Sequence, residues 1–202
     1  SRGLGDVYKR QIFNMTQVST NQFRPGLKVE IDKEPYVIIN VEFVKPGKGQ
    51  AFTRTRLKNL ITNRVLDKTY KSGEKLDLAD VIESKMRMLY QSGDFVVFMD
   101  DTTYEQIEAP IELFASQKQW LKEDTVYDII FYNGNVIDVT PPTFMDLLIT
   151  ETEAGHKGDT ASGRVLKPAI LETGAKVQVP IFVNQGDVIK VDTRSASYVS
   201  RV

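Results

Sequence analysis

The 202-residue sequence predicts an all-β protein made of three small β-barrels in series. Three observations predict it. Strand-like runs are short and alternate apolar with polar residues, as in Leu27-Lys28-Val29-Glu30-Ile31. Turn signals recur at short intervals, which favours several small modules over one large α/β domain. Charge is also partitioned along the chain: residues 1–79 carry 15 Lys/Arg against 8 Asp/Glu (+7), residues 80–142 carry 4 against 12 (−8), and residues 143–202 carry 7 against 7. A net charge of −1 therefore conceals a basic end that attracts polyanions and an acidic middle that repels them.

Residues 1–14 have no clear periodicity, and Met15 followed by a polar run reads as a natural start. They are expected to be a leader outside the fold, leaving modules at 15–79, 80–142 and 143–202. In the first module strands are expected over Leu27–Ile31, 35–44 and 52–61. Between Phe43 and Leu66 there is no acid, while Lys45, Lys48, Arg54, Arg56, Lys58 and Arg64 all fall there. On a strand Arg54, Arg56 and Lys58 share one face, a stripe suited to tracking an RNA or tRNA phosphate backbone.

The acidic module shows two hairpins, one turning at residues 91–94 and one at Asn133-Gly134, with a single short helix expected over 111–121. Five strands and one helix are what an OB-type barrel uses, and the aromatic residues here read as core rather than stacking platforms. Pro141-Pro142 punctuates the chain. Beyond it strands are expected at 144–150, 175–183 and 188–191, with a long turn-rich segment at 155–168.

Residues 43–52, Phe-Val-Lys-Pro-Gly-Lys-Gly-Gln-Ala-Phe, form a loop between two strand ends. Pro46-Gly47 has the chemistry of a type II turn and Gly49 adds a second permissive joint, so Lys48 is expected at a hairpin tip. A phosphate-binding P-loop fails on spacing, since Glu42 and Gly49 stand where a glycine and a Ser or Thr are needed. The dinucleotide fingerprint fails because Phe52 replaces its third glycine. With no cysteine, one histidine (His156) and no convergent acid, base and nucleophile, catalysis, metal binding and a cofactor are not expected. No long apolar run or signal-peptide core is present, so a cytoplasmic protein without membrane contact is expected.

Three motifs, Lys45-Pro46-Gly47-Lys48-Gly49-Gln50-Ala51-Phe52, then Gly158-Asp159-Thr160-Ala161-Ser162-Gly163 with Lys167-Pro168-Ala169, then Val191-Asp192-Thr193-Arg194 with Tyr198-Val199-Ser200-Arg201, resemble bacterial elongation factor P. The resemblance runs from Met15 to the C-terminus. It implies an SH3-like barrel followed by two OB folds in an L-shaped, tRNA-like arrangement. It further implies a monomeric factor that binds the ribosome and its rRNA between the peptidyl and exit sites and relieves stalling at consecutive prolines. In the family the loop lysine is extended after translation by an enzyme similar to a lysyl-tRNA synthetase, and it matches Lys48. The residues implied in tRNA or rRNA contact are Lys45, Pro46, Gly47, Gly49, Arg54, Arg56, Lys58, Gly158, Asp159, Thr160, Tyr198 and Arg201. Some relatives carry a sugar on an arginine at this site, which Lys48 argues against; β-lysylation and other lysine extensions stay open. The segment Ser162-Gly163-Arg164-Val165-Leu166 departs from relatives richer in glycine. A general RNA-binding or RNA-chaperone protein is the alternative, but it gives the lysine tip no purpose.

Overall fold

The computed structural model describes residues 16–153 and 165–202. Sixteen strands are present among them: β1 (Gln17–Ser19), β2 (Lys28–Ile31), β3 (Glu34–Val44), β4 (Phe52–Asn59), β5 (Val65–Lys71), β6 (Lys75–Leu78), β7 (Val81–Ser92), β8 (Phe95–Met99), β9 (Gln106–Pro110), β10 (Val126–Tyr132), β11 (Asn135–Thr140), β12 (Phe144–Thr152), β13 (Leu166–Leu171), β14 (Lys176–Pro180), β15 (Val188–Asp192) and β16 (Ser197–Arg201). They form three sheets, ordered β1-β6-β2-β3-β4-β5, β11-β10-β7-β8-β9 and β14-β13-β12-β15-β16. The all-β expectation holds. Packing gathers the chain into two compact units: the described residues up to Glu83 with Ile130–Asp138, and Ser84–Ile129 with Val139–Val202.

In the first unit, alternation along β2, β3 and β4 sends Val29, Ile31, Tyr36, Ile38 and Leu57 into a core closed by Val18, Phe23 and Tyr70. Phe23 meets Tyr70 edge to face, 5.6 Å between ring centroids. A bulge between Ile38 and Asn40 inserts one residue, so Ile39 is exposed and the inward face resumes at Val41. Asn59 ends β4: its Oδ1 accepts from the Ile61 and Thr62 amides at 2.8 and 2.9 Å, while its Nδ2 donates to Glu34. Tyr132 donates its hydroxyl to Glu30 at 2.6 Å, and Lys28 pairs with Glu83 at 2.6 Å.

In the second unit, Phe98 lies 5.9 Å from Phe114 and 5.5 Å from Tyr127, centroid to centroid, in the core of the middle sheet. The two hairpins read from sequence are present. The β10–β11 loop, which belongs to the first unit, is Asn133-Gly134 with φ of 49° and 79°, the pair of positive values that a type I′ turn requires.

The single helix expected over 111–121 is instead two 3₁₀ turns, Ile111–Phe114 and Lys118–Trp120. The bonds are all i+3 to i, as in Ala115 N to Glu112 O and Trp120 N to Gln117 O. The reason is that the two aromatic ends serve different cores. Phe114 fills the middle sheet, whereas the Trp120 indole is 2% exposed among Met145, Leu147, Ile149, Leu171, Val179 and Ile189 of the third sheet. The strand expected over 175–183 also stops short, because Pro180 has no amide hydrogen to continue the ladder and a turn from Pro180 O to Val183 N follows.

Tyr127 locks this crossing. Its hydroxyl donates to the Trp120 carbonyl at 2.7 Å and accepts from the Lys122 amide at 3.0 Å, and burial pushes its pKa up to about 12. The neutral phenol is favoured in the folded state, so its stabilisation is complete below pH 10 and is lost as pH rises from 10 through 12. A loss of about 2 kcal/mol by pH 12 is expected from Tyr127. Denaturation midpoints measured across this range should fall less steeply in Tyr127→Phe; an identical alkaline slope counts against the assignment.

Candidate nucleic-acid interface

β3 and β4 form a long antiparallel hairpin whose last pair is Val44 opposite Phe52, and the intervening chain carries Lys48. Lys45, Pro46, Gly47, Lys48, Gly49 and Gln50 are all exposed. Among the described residues, 45–50 find no backbone hydrogen-bond partner. The type II turn expected at Pro46-Gly47 is absent, since that turn needs φ > 0 at Gly47. Gly49 takes the left-handed conformation instead, φ +113°, where a Cβ would lie 3.7 Å from the Pro46 ring. The chain thus bends over residues 47–49 and turns back one step after Lys48, which keeps the amine at the tip.

Behind the tip the outer faces of β3, β4 and β5 align in rows fixed by register. Across the three strands these are Val44, Phe52 and Lys71; Glu42, Arg54 and Thr69; Asn40, Arg56 and Asp67; and Val37, Lys58 and Val65. The alternate β4 residues Thr53, Thr55, Leu57 and Asn59 are buried, which confirms that Arg54, Arg56 and Lys58 share one face. The Arg54 guanidinium also stands 5.3 Å from the Phe52 ring centroid, within cation–π range.

The acid-free character of this stripe does not survive folding. Arg54 Nη1 lies 3.7 Å from Glu42 Oε2, and Arg56 Nε donates to Asp67 Oδ1 at 3.1 Å. The four side chains are 58–71% exposed. Lys45, Lys48 and Lys58 make no ion pair with any described residue. Sequence reasoning missed Lys71 as a further cation of this face and the two acids within it. Continuing the β4 alternation across to β5 is the signal that finds them.

The remaining candidates lie in the other unit. Tyr198, on β16, packs half-buried against the third core, and Arg201 Nη1 stands 3.6 Å from Asp187 Oδ2. Asp192 holds Arg194 through paired contacts of 3.1 and 2.6 Å, and the Arg194 guanidinium lowers the Asp192 carboxyl to about 2. Gly158, Asp159 and Thr160 lie outside the described residues. No group of three or more His, Asp or Glu able to hold a metal occurs among the described residues, and none of their helices is long and apolar enough to cross a membrane.

Three domain families match the chain in order: the elongation factor P KOW-like domain over residues 19–76, the elongation factor P OB domain over 81–139, and the elongation factor P C-terminal domain over 145–201. The Elongation factor P 2 of Protochlamydia amoebophila strain UWE25 is 62% identical over 188 residues, 93% of this chain and 99% of that protein. The chain belongs to the elongation factor P family. The Elongation factor P 2 of Chlamydia pneumoniae is 55% identical over the same share of each chain. Among solved structures, the eukaryotic translation initiation factor 5A from Methanococcus jannaschii superposes with a TM-score of 0.50 at 26% identity, covering 62% of this chain and 92% of that one. As an elongation factor P family member the protein is a translation elongation factor, and its first sheet, with the lysine tip, is the family's KOW-like domain.

Proposed function

We propose that this factor binds the ribosome between the peptidyl and exit sites and promotes peptide bond formation at consecutive prolines by positioning peptidyl-tRNA through a covalently extended Lys48. The observation that carries the proposal is the tip: an exposed lysine that forms no ion pair with a described residue, on a loop without backbone hydrogen bonds to the described residues, beyond a cationic sheet face. An unmodified lysine reaches roughly 6 Å from its Cα. Extension by a modifying enzyme similar to a lysyl-tRNA synthetase lets the amine reach the terminal CCA of the tRNA. Lys45, Arg54, Arg56 and Lys58 meanwhile meet phosphates, with Pro46, Gly47 and Gly49 allowing close backbone approach. Proline is a poor partner in peptide transfer because its ring fixes φ and its amine is secondary, so a misplaced reacting end can be rescued by orientation alone. The factor needs no turnover of its own. We assign the domains to 15–79, 80–142 and 143–202, the acidic middle domain serving as spacer, with Gly158, Asp159, Thr160, Tyr198 and Arg201 making further RNA contacts. The protein acts as a cytoplasmic monomer.

Replacing Arg54, Arg56 and Lys58 together with alanine tests the cationic face. At roughly 0.7–0.9 per phosphate contact, the slope of log affinity for ribosomes against log salt should fall by about two to three. An unchanged slope takes the stripe out of the interface.

A further inference from the structure

The outer face of β3, β4 and β5 carries two acids that stand 12 residues before Arg54 and 11 after Arg56, yet each lies in the same row as its arginine. They contribute little to holding the sheet, because both pairs are exposed and water screens them. Their consequence for a bound polyanion is larger. A phosphate seated on Arg54 or Arg56 comes within about 6 Å of the neighbouring carboxylate, close enough for repulsion in water to weaken binding about threefold per acid. An arginine that still faces its carboxylate also neutralises the phosphate only in part.

We infer that Glu42 and Asp67 are affinity-limiting residues, which compete with RNA phosphate for Arg54 and Arg56 and so set how readily the factor leaves. The inference rests on the RNA-binding reading of this face proposed above and adds a release function to it. Positioning by a cationic sheet is useful only if the factor departs once the peptide bond has formed. A face of Arg54, Arg56, Lys58 and Lys71 with no acid would hold the RNA through every subsequent step. Two acids placed beside the arginines, with no described acid paired to Lys48, weaken the sheet contact and leave the tip untouched.

The test uses the full chain and ribosomes holding a peptidyl-tRNA. The combined Glu42→Gln and Asp67→Asn variant removes both charges at nearly constant shape. It is expected to bind about tenfold more tightly at low salt, with a salt slope steeper by about one to two, and to dissociate more slowly while unfolding at an unchanged temperature. Glu42→Asp, which keeps the charge, should behave as the parent does. Unchanged or weaker binding by the double variant overturns the inference, provided the Arg54, Arg56 and Lys58 triple alanine variant lowers the slope. If that triple variant leaves the slope unchanged as well, the RNA-binding reading of the face falls first and takes the inference with it.

Discussion

Replacing Lys48 with arginine is expected to reduce synthesis of a reporter containing three consecutive prolines to the rate seen with no factor, while a proline-free reporter is made at nearly the parental rate. The substitution keeps the positive charge on an exposed loop that makes no backbone hydrogen bond to the described residues, so their fold has nothing to lose. What it removes is the primary amine of Lys48, and a guanidinium is not an equivalent substrate. Charge and modification are thereby separated. Lys45→Arg is the internal control, because a phosphate contact tolerates the exchange where a modification site does not. Intact-mass measurement on protein from its native host should show added mass on the parent and on the Lys45→Arg variant, and none on the Lys48→Arg variant. Full activity of Lys48→Arg on the polyproline reporter would sink the positioning mechanism. Equal loss on both reporters would favour the alternative of a general RNA-binding protein.

Trp120→Ala is expected to produce the largest stability change, about 3–5 kcal/mol, confined to the unit formed by Ser84–Ile129 and Val139–Val202. The indole is among the largest fully buried side chains of the described residues, and it leaves the segment between β9 and β10 to fill the core of the third sheet. Its removal opens a cavity there. The neighbouring contacts cannot compensate: Lys122 Nζ reaches Glu172 at 2.9 Å and the Asp146 carbonyl at 3.0 Å, but both bonds are exposed. Glu172 also accepts from the Leu148 amide at 2.9 Å, and these partners hold its carboxyl below the usual range despite its partial burial. Amide exchange separates the two units where a single unfolding free energy does not apply. Protection should drop in β12 and β15 and persist in β2 and β4. Equal loss of protection in β2 and β4, or none in β12 and β15, contradicts this account of the core.

How far the chain could be read before folding follows from the range over which each feature is decided. Alternation with period two is a property of a few adjacent residues, so the strands, the shared face of Arg54, Arg56 and Lys58, and the Asn133-Gly134 turn were all legible. The exposure of Lys48 was legible too, because Pro46, Gly47 and Gly49 exclude regular structure around it. The residue that takes the positive φ was not. Gly47 and Gly49 are equally able to adopt it, and the choice depends on how β3 and β4 meet at Val44 and Phe52. Register likewise lies beyond local pattern: a bulge at Ile39 and a hairpin loop ending at Arg64 decide that Glu42 and Asp67 face Arg54 and Arg56. The destination of Trp120 is the furthest from sequence, because an indole is apolar enough for either of two adjacent cores. Only the folded chain shows that Phe114 stays with the middle sheet while Trp120, on the second 3₁₀ turn, is buried in the third, and the interruption of the helix follows from that division.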